Sequence, residues 1–344
     1  MMAVGAETMR VSVLREAGVV EVEARPVPEP GAGEVLVRVG SVGVCGSDVH
    51  YFEHGRIGHH VVDRPLVLGH EAGGVVVALG AGVVGLTTGQ RVSVEPGVPC
   101  RSCRQCLRGH YNLCPEMRFF ATPPYDGAFC EYVAMPEAFV HPVPDSLSDD
   151  AAGLIEPLSV GVWACRRASV GPDSTVLVTG AGPIGLLAAQ AARAFGAGEV
   201  VVTDVNPHRL ELARHLGLGT HDVAESPMTE TGLEPDVLLE CSGNAGATWD
   251  AVRTVARAGR VVLVGMGGDE VVLPLPYLQD HELLVTGAFR YADTWPTAIS
   301  LAASGRVDLD AMVTGHYGLD DVQQALTASR RDATTIKAMV CPAT

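Results

Sequence analysis

Residues 175–196 have the sequence TVLVTGAGPIGLLAAQAARAFG, in which an apolar strand-like run leads through a glycine-rich turn into a helix-like run. The pattern GxGxxG is weak alone, but here it ends a strand and opens a helix. Gly180 permits the tight turn, Gly182 leaves room for a pyrophosphate, and Gly185 lets helix and strand pack closely. Free N–H groups and the helix dipole then face anionic oxygens. The stretch predicts a dinucleotide-binding βαβ unit, and a glycine-rich turn without a ligand is the alternative.

The alternation of strand and helix continues downstream. Strand-like runs recur at 199–204, 236–240, 260–265 and 283–289, with helix-like runs between them. Such alternation predicts a parallel sheet, and we expect six strands in a complete doubly wound sheet.

The rest of the chain has a different pattern. From Met9 to about Asp150, short β-type runs such as VLVRVGSVGV at 35–44 are broken by Gly and Pro, which predicts a small irregular β domain. After Arg290, two amphipathic stretches precede an apolar strand around Ile336 to Cys341, and we expect these to pack on the β domain. Residues 1–8 are expected to be a frayed tail. The expected domains are 1–158 with 292–344, and 159–291.

The composition limits the classes of partner. Hydrophobic residues make up 47% of the 344 residues and charged residues 19%, which excludes disorder. A formal net charge of −16 without a clustered basic patch argues against nucleic acid or an anionic membrane surface. A small neutral substrate is favoured instead.

Three further features of the sequence predict where in the cell the protein is found. No run approaches the roughly 18 apolar residues of a membrane helix, and the first residues resemble neither a signal nor a transit peptide. The nine cysteines are an odd number, which favours a reducing compartment over a disulfide framework. We therefore expect a soluble, cytoplasmic protein.

Asp204 ends the strand after the glycine-rich turn. A carboxylate there can accept hydrogen bonds from a ribose 2′-hydroxyl and would repel a 2′-phosphate, so NAD is predicted over NADP. Arg209 lies nearby and could pair with a phosphate, but a guanidinium can equally stack on adenine. The alternative for Asp204 is an ordinary turn residue at a strand end.

Four cysteines lie close together in a loop rich in Pro and Gly, in the pattern CxxCxxCx₇C. Four thiolates can surround one tetrahedral Zn²⁺ and leave no position for a substrate, so the predicted role is structural. An iron–sulfur cluster and disulfides are the alternatives. The residues are Cys100, Cys103, Cys106 and Cys114.

A second set of possible zinc ligands lies in the first domain. Cys45, His70 and one of Glu71 or Glu156 supply a thiolate, an imidazole and a carboxylate, which leaves a fourth position open for water or an alcohol oxygen. Taken singly, each residue is weak evidence for a metal site, because a free Cys or a buried His is often part of a core and Glu71 could be solvated.

These motifs together resemble the zinc-containing medium-chain dehydrogenases, from Met9 to the end of the chain. The stretch GHEAGGVVVALGAGV at 69–83 fits the zinc signature of that family. More narrowly, four segments resemble the sorbitol (L-iditol) and xylitol dehydrogenase branch: CGSDVHYFEHGRIG, FFATPPYDG, IEPLSVG and FRYADTWP. The resemblance implies a GroES-like β-rich catalytic domain and a Rossmann domain, with two Zn²⁺ per subunit and NAD.

The resemblance also implies roles at the catalytic zinc. Cys45 and His70 would be ligands, Glu71 the acidic ligand, and Glu156 would either join the shell or hold the zinc-bound water. The simple-alcohol branch has a cysteine where this chain has Glu156, and this departure favours polyols. Ser47 and His50 match the proton relay of the family, and Glu156 through water is a second route.

Further residues match substrate and cofactor positions. Tyr51 and Tyr291 could alternatively be core residues. The residues expected at the substrate are Tyr51, Phe119, Glu156, Arg290 and Tyr291. Those expected at NAD are Gly180, Gly182, Pro183, Ile184, Gly185, Asp204, Arg209, Val264, Gly265, Met266, Ala288, Phe289 and Arg290.

The expected activity is oxidation of a secondary hydroxyl of a polyol to the ketose by hydride transfer to NAD. The alternatives are a diol or cyclitol dehydrogenase with the same zinc chemistry, and a catalytically silent NAD-binding protein on the same scaffold. The ligands disfavour a zinc-free quinone reductase. The family is commonly tetrameric or dimeric, so the resemblance implies a homo-oligomer.

Overall fold

The computed structural model describes residues 7–343, which form two compact units. The first unit runs to Glu156 and resumes at Leu309, and the second comprises Pro157–Asp308. Residues 1–6, most of the expected frayed tail, lie outside the described residues. Within residues 7–343, no helix is both long and apolar enough to cross a membrane.

The second unit extends beyond residue 291, where the sequence pattern placed its end. Helix Trp295–Ala303, expected on the first domain, belongs to this unit. Arg166 holds the segment there by donating hydrogen bonds to the Asp293 carbonyl at 2.6 Å and to Thr297 Oγ1 at 2.8 Å. Hydrogen bonds between residues so far apart in the sequence cannot be predicted from hydrophobic periodicity.

The first segment of the first unit consists mainly of short strands. The strands are β1 (Thr8–Glu16), β2 (Val19–Pro26), β3 (Glu34–Gly43), β4 (Arg56–Ile57), β5 (His60–Val61), β6 (Leu66–Val67), β7 (Glu71–Leu79), β8 (Arg91–Val94), β9 (Gly97–Val98), β10 (Arg118–Phe119), β11 (Tyr132–Pro136) and β12 (Val140–Pro142). The helices are α1 (Gly46–His54), α2 (Arg104–Leu107) and α3 (Asp149–Ala168), which continues into the second unit.

The second unit alternates strands and helices. Its strands are β13 (Thr175–Thr179), β14 (Glu199–Asp204), β15 (Gly219–Asp222), β16 (Val237–Glu240), β17 (Arg260–Leu263) and β18 (Leu284–Gly287). Its helices after α3 are α4 (Pro183–Ala194), α5 (Pro207–His215), α6 (Ala245–Val252), α7 (Leu275–His281) and α8 (Trp295–Ala303). The first unit then ends with β19 (Val313–Tyr317), α9 (Val322–Arg331) and β20 (Lys337–Val340).

The main sheet of the first unit has the order β12-β8-β7-β3-β20-β19, and β11 also pairs with β3. Strand β3 is almost wholly buried because β7, β11 and β20 surround it. The expected terminal strand therefore joins the β domain near the middle of its sheet.

Two glycines of β7 allow its neighbours to pack closely against this strand. A Cβ at Gly74 would overlap the Arg38 carbonyl of β3. A Cβ at Gly73 would lie 2.7 Å from Ala152 and from the Gly153 nitrogen, so helix α3 can rest directly on β7. This packing places the first turns of α3, and Glu156 with them, over the start of β7.

The second unit confirms the predicted doubly wound sheet. Its six strands run parallel in the order β15-β14-β13-β16-β17-β18, the Rossmann order. Strand β15 has the sequence GTHD, and the sequence pattern did not locate it because it lacks an apolar run. The Rossmann part of the predicted fold class is thus the observed one.

Candidate active site

Three candidate zinc ligands meet at the start of helix α1 and strand β7. One ligand atom each of Cys45, His70 and Glu71 lies within 4.8 Å of the others. Cys45 is the N-cap of α1, His70 directly precedes β7, and Glu71 is its first residue; both His70 and Glu71 are buried. A thiolate, an imidazole and a carboxylate suit Zn²⁺ and leave its fourth position open. The donor set therefore fits a catalytic zinc.

Asp48 supports this cluster, although the sequence pattern did not single it out. It accepts hydrogen bonds from the backbone N–H groups of Cys45 at 3.0 Å and Gly69 at 2.9 Å, and its Oδ1 lies 3.7 Å from His70 Nδ1. Burial opposes ionisation, but the opposite charges prevail, so the pKa of Asp48 is lowered and that of His70 is raised well above its ordinary value. Asp48 thus fixes the ring of His70.

Glu71 has a buried cationic neighbour in Lys337, the only lysine of the sequence. The Lys337 ammonium donates hydrogen bonds to Glu71 Oε1 at 2.7 Å and to the Val44 carbonyl at 2.8 Å. Glu71 Oε2 is also buried, and it lies 2.6 Å from the same ammonium in an ion pair. A carboxylate has about four lone-pair positions on its two oxygens, so the contacts with Lys337 still leave Glu71 able to coordinate a metal.

The two candidate carboxylates are placed differently. The group within 4.8 Å contains Glu71 but does not include Glu156. Glu156 is buried on α3. Burial lowers the pKa of Lys337, but the charges of Glu71 and Cys45 raise it, and Glu156 is near enough for its charge to raise it further. Between the two, the geometry favours Glu71 as the direct ligand.

Helix α1 carries three of the expected site residues. Ser47, His50 and Tyr51 are three and four residues apart, so they share one side of the helix. Tyr51 is buried and His50 is exposed. On β10, the ring of Phe119 lies 5.6 Å from that of His70 and gives the metal cluster an apolar wall.

Two expected substrate residues belong to the second unit. Tyr291 is buried there, with its ring 4.9 Å from Trp295 in an edge-to-face contact. Arg290 adopts a φ of 51° and lies over the Phe289 ring, with 4.9 Å between Cζ and the ring centroid.

The four clustered cysteines form a second candidate metal centre around α2. Their sulfurs lie within 4.8 Å of one another. Cys100 Sγ accepts from the N–H of Cys103 at 3.3 Å, and Cys103 Sγ accepts from the N–H of Cys106 at 3.5 Å. Backbone N–H groups of Ser102 and Cys103 lower the pKa of Cys100 to about 6, which favours its thiolate. The cluster, completed by Cys114, fits a structural Zn²⁺.

The glycine-rich turn of the second unit has the geometry of a phosphate-binding loop. Gly180 has φ +85°, and a Cβ at Gly185 would overlap the Gly180 carbonyl. A Cβ at Gly182 would meet nothing within 4 Å, so open space faces this residue at the start of α4. Both observations agree with a bound pyrophosphate.

The side chain of Asp204 contacts the backbone of this loop. Its Oδ2 accepts from the N–H of Ala181 at 2.7 Å, and its Oδ1 from those of Val205 and Asn206, both at 2.8 Å. Arg209 Nη1 lies 3.8 Å from the carboxylate. A cavity of about 390 Å³ adjoins Asp204, and its lining includes Gly180, Met228, Asn244 and Asp250.

The other expected cofactor residues follow strands β17 and β18. Val264 to Met266 and Ala288 to Arg290 come directly after these strands. Because the sheet is parallel, they share its carboxyl edge with the glycine-rich turn. The sequence pattern missed Glu240, which ends β16 and accepts from Thr179 Oγ1 at 3.2 Å and from the Ser242 N–H at 3.0 Å.

Comparisons with known proteins agree with both units. Residues 31–145 match the alcohol dehydrogenase GroES-like domain, and residues 183–304 match the zinc-binding dehydrogenase domain. Sorbitol dehydrogenase of Bacillus subtilis is 43% identical, covering 98% of each chain, and human sorbitol dehydrogenase is 40% identical, covering 96% of this chain and 95% of the relative. An Escherichia coli oxidoreductase of unknown specificity superposes with a TM-score of 0.93 at 35% identity, covering 97% of this chain and 99% of that one.

The chain therefore belongs to the zinc-containing medium-chain dehydrogenases. Within that family, it is similar over nearly its full length to proteins named sorbitol dehydrogenase.

Proposed function

We propose that the protein is an NAD-dependent zinc polyol dehydrogenase, which oxidises a secondary hydroxyl of sorbitol, xylitol or a similar polyol to the ketose. The observation that carries this proposal is the cluster of Cys45, His70 and Glu71 within 4.8 Å. Cys45, His70 and Glu71 would hold a Zn²⁺ that would supply Lewis-acid chemistry to the hydroxyl, and the second unit would hold the NAD⁺ that would supply hydride acceptance.

The residues around the cluster position the substrate and move its proton. Glu156, buried on α3, offers a carboxylate to the hydroxyls of a polyol. The Phe119 ring, 5.6 Å from that of His70, gives the site an apolar wall that would limit the access of water on this side. Arg290 and Tyr291 complete the proposed set of substrate contacts.

The proton leaves along helix α1. Ser47 and His50 share one side of the helix, and His50 is exposed, so the route ends in solvent. Histidine suits this step because its charge changes between pH 5 and 8. Water held by Glu156 is the second proposed route.

NAD is the proposed cofactor rather than NADP because Asp204 lies at the adenosine end of the nucleotide site. Its carboxylate is aligned by three backbone N–H donors and would repel a 2′-phosphate. The proposed contacts run from the glycine-rich turn to the residues after β17 and β18.

A substrate panel tests the proposal. Purified enzyme is given NAD with sorbitol, xylitol, ribitol, L-arabinitol, butanediol or inositol, and NADH formation is followed by absorbance. Polyol-dependent NADH that a chelator abolishes supports the proposal. Preference for butanediol or inositol would establish the diol or cyclitol alternative, and NAD binding without turnover on any substrate would establish the silent one. Glu156→Gln, which keeps the side-chain volume, should lose most of the polyol turnover.

We also propose a homo-oligomer, a tetramer or a dimer, in the cytoplasm. Strand β18 is an edge of its sheet, and Leu284 on it is 52% exposed, as Phe289 beyond it is 53% exposed. Such an apolar edge is suited to pairing with a second copy. Light scattering on the purified protein measures the oligomeric state, and a monomer at micromolar concentration would contradict it.

A further inference from the structure

A third group of metal-binding side chains lies in the first unit, apart from both zinc centres. One ligand atom each of Asp150, His316 and Cys341 lies within 4.8 Å of the others. None of the three belongs to the catalytic or the structural set. We propose that these residues form a third divalent-cation site that takes ions of the zinc class.

The sheet places two of the ligands on one face. Val340 pairs with Val42, so Cys341 comes next to Ser41, and the Cys341 N–H donates to the Tyr317 carbonyl at 2.8 Å. His316 pairs with Met339 on the neighbouring strand. Side chains two residues apart share a face of a sheet, so the side chains of His316 and Cys341 lie on the same face as that of Ser41.

The third ligand arrives with helix α3. Asp150 lies in its first turn, which packs on the sheet where Gly73 of β7 has no side chain. Its Oδ2 is 2.6 Å from His316 Nε2, and its Oδ1 accepts a hydrogen bond from Ser41 Oγ at 2.5 Å. Ser41 is buried and also lies 3.9 Å from Cys341 Sγ. It thus orients the carboxylate, as residues behind metal ligands generally do.

The donor chemistry selects the ion. A thiolate and an imidazole favour Zn²⁺ over Mg²⁺ or Ca²⁺, and the single carboxylate oxygen completes three protein ligands. On binding, the thiol proton leaves to solvent, His316 coordinates through Nε2 as a neutral imidazole with its proton on Nδ1, and three metal–ligand bonds replace three bonds from the ion to water. The side chain of His316 is 56% exposed, so an ion can enter from solvent.

A bound ion would join three parts of the first unit. It would connect strand β19, the residue after β20 and the start of α3, adding to the contact that His316 already makes with Asp150. Loading should therefore raise the thermal midpoint of the protein above that of the form holding two zinc ions.

The test is zinc stoichiometry by equilibrium dialysis and metal analysis of the full chain. The wild type should take up one zinc beyond its first two, and His316→Ala and Cys341→Ser should each lose only that one. His215→Ala, which removes an exposed histidine from the second unit, should retain it. No additional zinc in the wild type would overturn the proposal, because no third ion would then bind. Equal uptake by all four proteins would also overturn it, because the additional zinc would then be an adventitious ion only.

Alkylation provides a second measurement. Iodoacetamide modification at Cys341, mapped by mass spectrometry, should be slowed at least about tenfold by added zinc in the wild type and much less in His316→Ala. Equal slowing in both proteins would also count against the site. Neither measurement uses polyol oxidation, so the loss of the proposed dehydrogenase activity would leave this result unaffected.

Discussion

Lys337 Nζ lies 2.6 Å from Glu71 Oε2, so a lysine of the last strand neutralises the carboxylate that adjoins Cys45 and His70. Both side chains are almost fully buried, at 3% and 1% exposure. Gly43 makes the space for them, since a Cβ at this position would overlap Glu71 Oε2 and lie 2.9 Å from Lys337 Cε. The site therefore depends on a residue far from its motifs.

Lys337→Met should destabilise the zinc-free protein, prepared with a chelator, by about 3–5 kcal/mol, because the buried Glu71 carboxylate then has neither the lysine nor a metal as its counter-charge. The free energy of unfolding is measured by urea denaturation. Lys337→Met combined with Glu71→Gln should recover most of the loss, since no unpaired charge then remains. A double variant as unstable as Lys337→Met would show that packing of the lysine stem, rather than charge, is what matters.

Asp204→Ala should raise the ratio of kcat/KM with NADP to that with NAD by at least about tenfold, or about 1.4 kcal/mol. The substitution removes both an acceptor for the ribose hydroxyl and the charge that opposes a phosphate. Steady-state kinetics with both cofactors measures the ratio. Asp250→Asn removes a charge from the lining of the same cavity and should leave the ratio unchanged. An unchanged ratio in Asp204→Ala would refute the role given to this carboxylate.

Cys103→Ser should remove one zinc per chain and leave the other in place. Cys103 is also the N-cap of α2, and its sulfur accepts from the Cys106 N–H, so the loop should lose both its metal and its turn. Metal analysis with a thermal melt measures both effects. Cys241→Ser, which lies outside the three metal-binding groups found among residues 7–343, should keep the zinc content of the wild type. Loss of both zinc ions from Cys103→Ser would mean that the two centres are not independent.

Cys130 and Cys165 should resist alkylation in the folded protein. Burial raises the pKa of Cys130 to about 12 and raises that of Cys165 as well. At pH 8, a thiol with pKa about 12 is ionised to roughly 10⁻⁴, whereas an ordinary thiol with pKa about 8.5 is ionised to roughly one quarter. The rate with iodoacetamide, followed by mass spectrometry, should rise steeply in urea. Equal rates in the folded and unfolded protein would disprove the protection.

Local patterns in the sequence account for much of this fold. The glycine-rich turn, Asp204 and five strands of the parallel sheet each follow from neighbouring residues, since a buried parallel strand needs a continuous apolar run. Strand β15 does not follow, because an edge strand with the sequence GTHD lacks such a run. The pairing order of the antiparallel sheet also escapes prediction, since β3 joins β20 from the other end of the chain.

The residues of the site likewise divide into those that local motifs predict and those that they do not. Cys45, His70 and Glu71 can be proposed from the sequence because they lie in compact motifs, although the sequence leaves Glu156 as the alternative to Glu71. Lys337 was missed because its partner lies 266 residues away, although its being the only lysine was a visible signal. Asp48 could have been found from its position three residues after Cys45, where a carboxylate caps a helix.

The burial of Lys337 also limits how the folded protein can be modified. Every other basic side chain among the 24 Lys and Arg residues is an arginine, so the surface carries its positive charge as guanidinium groups, with no ε-amino group. Enzymes that acetylate lysine side chains or attach ubiquitin to them need an accessible lysine nitrogen, as does cross-linking through lysine. In the folded protein the one such nitrogen is bonded to Glu71 and Val44, and it becomes available to them only when the sheet of the first unit opens.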